Sequence, residues 1–248
     1  MSNEQSDYIM YIGGGLLGDF IQQLSVVKEL FEINGKKGIV YMSNSVGDMF
    51  RNSIEQTHQE LKDLLTQKDG EYPEYIQDLR IYKGENVHIN LSQWRKSNLL
   101  YKSNWQKIFH SVYDVSWGSK KWINVSSTLE HLQDKILINY SSTRSYHGGL
   151  TFTEDEKTRL IFVGFSENDY KLFKKLSGLD VPFYKAADLY DLSVVINSCS
   201  LFIGGLSSPL ALCLAMHKKC IAHFKNDIDG VHMTGISDHL PFVTEIKI

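Results

Sequence analysis

Two hydrophobic periods alternate along the chain. Tyr8 to Ile12 is a short apolar run that stops at Gly13-Gly14-Gly15. Beyond it Leu17, Phe20, Ile21, Leu24, Val27, Leu30 and Phe31 return at three- and four-residue steps, the spacing of one helical face. The pattern predicts a strand, a tight turn and a helix over 17–33. Asn34-Gly35 ends that helix, and Gly38 to Met42 is apolar enough for a second, parallel strand, completing a β-α-β unit.

The signal then weakens. Ile54, Leu61, Leu64 and Leu65 mark a more polar helix over 54–67, broken by Gly70 and Pro73, with candidate strands at 78–82 and 86–91. Trp94, Tyr101, Trp105, Phe109, Tyr113, Trp117 and Trp122 follow. These aromatics read either as core packing or as an acceptor surface on which sugars stack.

Regularity returns at Lys135. Strands are predicted at 136–139, 160–163, 182–184, 201–203 and 219–224, separated by helices at 167–176, 188–197 and 209–216. Ser166 is a good N-cap, and Pro209 fits a first helical position. Such alternation implies a parallel sheet with helices on both faces. The fold class is therefore α/β, with two Rossmann-like β/α/β domains facing a cleft, residues 1–128 and 129–248.

Composition narrows the partners. A formal net charge of −3 over 248 residues leaves no basic footprint for nucleic acid. No apolar run approaches the roughly 18 residues a membrane span needs, and Met1 to Asp7 is too polar for a signal peptide. The expected place is the cytoplasm, with membrane contact peripheral at most, and the sequons at Asn90, Asn124 and Asn139 are read as chance. Cys199, Cys213 and Cys220 form no C-x-x-C pair, which argues against a disulfide framework or a zinc site. Asp227, Asp229, His232, Asp238 and His239 are read as a polar loop, so no metal is expected.

The glycine turn admits two chemistries. Gly13, Gly15 and Gly18 satisfy G-x-G-x-x-G, but dinucleotide binding also wants an acid at the end of the second strand, about 20 residues on. Here that strand ends in Met42-Ser43-Asn44, with no acid until Asp48. An NAD(P)-dependent oxidoreductase stays open as an alternative. In the other chemistry the functional group is Asp19, a carboxylate in a helical first turn, where it acts as a general base or merely caps the helix.

Ligands of open parallel sheets bind beyond the carboxyl ends of the strands, where 140–149, 164–167 and 204–209 gather. Ser141, Ser142, Thr143 and Arg144 supply hydroxyls and a guanidinium suited to phosphate. Ser207 and Ser208 precede a helix, a second anion position. Tyr184 and Lys185 follow a mid-domain strand, where a nucleobase is expected. Together they favour a phosphate-bearing ligand between two domains.

These residues carry a resemblance. Gly15 to Phe20 (Gly-Leu-Leu-Gly-Asp-Phe) resembles the Gly-Asp element that opens heptosyltransferase-like, family 9-like glycosyltransferases of the two-domain GT-B fold. Ile136 to Ser142, Phe162 to Asp169 and Ala187 to Phe224 are similar to that family's donor half. The resemblance implies a transferase that moves a sugar from a nucleotide-diphosphate sugar to a hydroxyl of a glycan, lipopolysaccharide-like or lipid-linked acceptor. Asp19 would be the base, which implies inversion, and Gly13, Gly14, Gly15 and Gly18 the acceptor-side turn. Ser207 would stand at the donor turn, and the nucleotide sugar would be a co-substrate, with no cofactor. The chain lacks an Asp-x-Asp metal motif, so metal independence is expected. Leu206, Ser208 and Ala211 replace the family's aspartate, glycine and histidine, and Ser25 a proline. A non-catalytic GT-B-like protein that binds nucleotide sugars is therefore the second reading.

Overall fold

The computed structural model describes residues 8–13, 15–43, 53–117, 120–141, 150–225 and 228–247. Its first unit runs β1 (Tyr8–Ile12), α1 (Leu17–Asn34), β2 (Gly38–Met42), α2 (Ile54–Leu65), β3 (Ile76–Ile81) and β4 (Ile89–Asn90). These strands form a parallel sheet in the order β3-β2-β1-β4. The helix stop at Asn34-Gly35 works as its chemistry requires. Gly35 takes the left-handed φ of 69° and returns its N–H to Phe31 O at 2.7 Å.

A 3-10 turn over Leu91–Lys96 and α3 (Trp105–Ser111) occupy the aromatic stretch. Asn104 caps α3 by accepting from Lys107 N at 2.9 Å. The second unit runs β5 (Ile136–Asn139), α4 (Glu154–Arg159), β6 (Leu160–Gly164), α5 (Glu167–Ser177), β7 (Phe183–Lys185), α6 (Leu189–Ser198), β8 (Leu201–Gly204), α7 (Ser208–Ala215), β9 (Cys220–Phe224), α8 (Ile228–Val231) and β10 (Val243–Lys247). Its sheet is parallel throughout, in the order β10-β9-β8-β5-β6-β7. The α/β class with two parallel sheets is thus the observed architecture.

One buried apolar cluster runs through both units. It joins Met10, Phe20 and Leu24 to Trp105, Phe109 and Trp122, and these to Leu210, Leu214, Met233 and Leu240. A smaller cluster, with Ile138, Phe162 and Phe173, lies within the second unit. The join is made by α1 packing along α7. Trp122 rivets it, since its indole donates to Ile21 O at 2.9 Å while its backbone N–H donates to Ala215 O at 3.1 Å.

Residues beyond β9 return to the first unit. Trp105 N donates to His232 O at 2.8 Å, and the ring of His239 lies 4.7 Å from that of Trp117. Trp94, Trp105, Phe109 and Trp122 are therefore core, whereas Tyr101 is exposed. The three cysteines are buried and free, and burial pushes the Cys199 thiol up to about 12. Among the described residues no helix is long and apolar enough to cross a membrane.

Candidate active site

The glycine turn after β1 is held from inside. Gln23, fully buried in α1, accepts from Gly13 N at 3.0 Å and donates to Gly13 O at 3.1 Å. Trp94 Nε1 also donates to Gly13 O, at 3.2 Å. Gly13 N–H is thus spent inside the protein, which weakens the pyrophosphate use of this turn. At the end of β2, Ser43 Oγ lies 2.6 Å from the Tyr11 hydroxyl.

Asp19 is the third residue of α1. Its Oδ2 accepts from Leu16 N at 2.8 Å, so it does cap the helix. Its Oδ1 accepts from the indole Nε1 of Trp105 at 2.9 Å. The two bonds fall on different oxygens of the carboxylate. Both donors favour the anion. Gly15 must be glycine, because a Cβ there would fall 2.2 Å from Asp19 Oδ2.

The donor-side turn lies directly against this one. A Cβ on Gly18 would sit 3.5 Å from both N and Cα of Ser208, the first residue of α7. Ser207 does not cap α7 with its side chain. Its hydroxyl lies 3.0 Å from Gly205 O and 3.4 Å from Asn139 Oδ1. Asn139, buried at the end of β5, donates to Val163 O at 2.8 Å and so ties β5 to β6 at their carboxyl ends. Beside it the Tyr140 hydroxyl lies 2.7 Å from His223 Nδ1, and burial lowers the pKa of that histidine.

The structure therefore brings Gly13, Gly15, Gly18, Asp19, Ser207 and Ser208 to one place. Ser141 follows β5 at the same edge. Tyr184 and Lys185 lie on β7, three strands from β8, about 14 Å at the usual strand spacing. The Tyr184 hydroxyl donates to Asp191 Oδ1 at 3.0 Å, and burial, aided by that bond, pushes its pKa up to about 12. Lys185 is exposed, with Nζ 3.8 Å from Glu167 Oε1. Gly14, Ser142, Thr143 and Arg144 lie outside the described residues.

Sequence reasoning missed the partners of this site. Trp105 was legible only as an aromatic, Asn139 only as a strand end, and Gln23 as one polar position among apolar neighbours. The one available hint was Gln22-Gln23 inside a helix whose inward residues are mostly apolar. Among the described residues no group of three or more His, Cys, Asp or Glu could hold a metal. Of the C-terminal polar loop, His232 and His239 are engaged with the rings of Tyr101 and Trp117.

An α/β protein with two parallel sheets, whose acidic glycine turn meets a serine turn at two helix N-termini, defines the class. Comparison with solved structures places it further. The fold is similar to that of a family 9 glycosyl transferase from Veillonella parvula, at 11% identity and TM-score 0.59, over 100% of this chain and 87% of that one. It is similar to the ADP-heptose lipopolysaccharide heptosyltransferase II of E. coli, at 10% identity and TM-score 0.57, over 96% and 90%. It is also similar to TibC of enterotoxigenic E. coli, described as an iron-containing dodecameric glycosyltransferase, at 13% identity and TM-score 0.56, over 88% and 58%. No family model matches the sequence, and no curated protein matches it.

Proposed function

We propose that the protein is a glycosyltransferase that moves a sugar from a nucleotide-diphosphate sugar to a hydroxyl of a glycan or lipopolysaccharide-like acceptor. The observation that carries this reading is the meeting of Asp19, in the first turn of α1, with the first turn of α7 at Gly18 and Ser208. Asp19 takes the proton from the attacking hydroxyl. The departing diphosphate lies at the N-terminus of α7, where backbone N–H groups and the helix dipole stabilise its growing negative charge. Attack by a hydroxyl activated this way displaces the diphosphate in one step and inverts the anomeric carbon.

The unit up to residue 128 is assigned the acceptor and the unit from 129 the donor, with Ser207 and Ser208 on the diphosphate and Tyr184 and Lys185 towards the nucleobase. Edge-to-edge, β8 to β7 spans about 14 Å, a length suited to a nucleotide laid across the carboxyl ends of the strands. Because all three similar structures carry heptosyltransferase or glycosyltransferase names, one of them naming ADP-heptose, ADP sugars are the first donors to test. Transfer is proposed to be metal-independent, and undiminished turnover in EDTA supports that part.

The deciding experiment is a thermal-shift panel of UDP, GDP, ADP, CMP, NAD and NADP, followed by transfer assays with the sugar of whichever nucleotide stabilises. Asp19→Asn is expected to bind that donor while losing at least about 100-fold in turnover. Stabilisation by NAD or NADP alone sinks the transferase reading. A second reading, binding without chemistry, is favoured by the buried apolar Leu206 and Ala211 at positions where the resembling family carries charge or a histidine. Donor binding with no turnover over a broad acceptor panel selects it.

A further inference from the structure

We propose that Trp105 is a positioning residue for Asp19, an inference that rests on the transferase reading of that carboxylate. Torsions that turn a carboxylate are broad, so one hydrogen bond leaves its plane loosely set. Asp19 is held at two points, Oδ2 by Leu16 N at 2.8 Å and Oδ1 by Trp105 Nε1 at 2.9 Å. Two donors on two different oxygens fix the plane of the carboxylate.

Trp105 is itself anchored on three sides. It is 8% exposed, its backbone N–H donates to His232 O at 2.8 Å, and its ring edge would stand 3.1 Å from a Cβ at Gly18. The indole cannot drift without moving α3. Its chemistry suits the task as well, because an indole N–H only donates. It never removes the proton that Asp19 takes, and it favours the carboxylate over the acid. Through His232, residues beyond β9 in the donor unit thereby help to set the base of the acceptor unit.

The test is Trp105→Phe in the full chain, which keeps a ring and removes the donor. With the donor and acceptor found active, kcat is expected to fall by about 10- to 100-fold from misaimed attack, with KM held within about threefold. Loss of a bond that the anion receives is expected to move the acid limb of the kcat profile to higher pH. A packing role would lower the amount of folded protein but leave that limb in place.

A second measurement needs no turnover. The chain has four tryptophans, so the indole N–H region of an ¹⁵N spectrum holds four cross-peaks. The one lost in Trp105→Phe, or assigned directly if that variant does not fold, is expected to titrate with a single acidic pKa that Asp19→Asn abolishes. Wild-type kcat and acid limb in a folded Trp105→Phe overturn the proposal, as does an indole signal indifferent to both pH and Asp19→Asn. Absence of turnover in the wild-type protein defeats the transferase reading instead, and the titration alone then decides whether Trp105 holds Asp19.

Discussion

Gly18 stands against Ser208 with no side chain between them. A Cβ added at Gly18 would lie 3.5 Å from the N and Cα of Ser208 and 3.1 Å from Cη2 of Trp105. The positive ends of two helix dipoles consequently face one spot. A Cβ added there would press on the Trp105 ring edge first and lie in ordinary van der Waals contact with the Ser208 backbone, so larger side chains must displace one or the other.

Gly18→Leu is expected to cost about 1–3 kcal/mol, the range for overpacking a filled interior, read as a lower urea midpoint. Gly15→Ala disturbs both the base and the turn. Its new Cβ would fall 2.2 Å from Asp19 Oδ2 and 2.3 Å from Asp19 Cβ, so the turn as well as the carboxylate must move, and turnover is expected to collapse together with a lower melting temperature.

Adjacent glutamines of α1 are expected to respond in opposite directions. Both are fully buried, yet Gln23 bonds both backbone groups of Gly13, while the amide N and O of Gln22 have no partner among the described residues. Gln23→Leu leaves the buried Gly13 N–H unpaired, although Gly13 O keeps the Trp94 indole, and should cost about 2 kcal/mol. Gln22→Leu removes an unsatisfied amide and should add about 1–3 kcal/mol. Chemical denaturation of the two variants side by side checks both signs, and a loss in Gln22→Leu would contradict the second.

Stability should fall on mild acidification. Burial lowers His110 from its usual 6.5 to about 4, against a smaller opposing pull from the Ser116 carbonyl, and lowers His217 to about 4. Between those values the unfolded chain binds protons that the folded chain refuses, so stability is full above about pH 6.5 and declines towards pH 4. The slope is at most about 1.4 kcal/mol per pH unit for each histidine. His110 sits with Nε2 2.8 Å from Ser25 Oγ, so His110→Gln preserves a polar partner there. Its urea midpoints at pH 7, 6 and 5 should fall less steeply than those of the wild type, and an unchanged slope would remove His110 from the account.

The ion pair between units matters less. Lys68 Nζ lies 2.9 Å from Asp188 Oδ2, but Lys68 is exposed and Asp188 only half-buried, and such solvent-accessible pairs contribute about 0–1 kcal/mol. Lys68→Ala should shift the unfolding midpoint slightly at low salt and not at all near 1 M, where charges are screened within about 3 Å. A large, salt-independent loss would show the contact to be a packing one.

Much of this fold was legible because its strands are apolar runs bounded by glycine or serine turns. The β-α-β opening and the alternation after Lys135 followed from periodicity alone, and the stop at Gly35 from its residue pair. What escaped lacked that signal. Helix α4 has no buried residue and thus no apolar face, and β10 is an edge strand carrying Glu245 and Lys247. The second strand of the middle region shrinks to Ile89–Asn90, paired with Met10 and Tyr11 of β1.

At the site, Asp19, Ser207 and Ser208 could be found because each follows a glycine turn into a helix. Trp105 could not, since its bond to Asp19 spans 86 residues of chain and no local period encodes it. In the sequence Ser207 reads as an anion position ahead of a helix, and its hydroxyl turns towards Gly205 and Asn139.

The bond from Trp105 N–H to His232 O has a consequence for biosynthesis. A ribosome releases the chain from its N-terminus, so α3 emerges well before the residue that completes its first turn. Until His232 has left the exit tunnel, Trp105 lacks its anchor, and the face of α1 that α7 later covers stays open to water. The nascent first unit is therefore a client for chaperones at that stage, and the candidate base takes up its final orientation only once His232 has emerged.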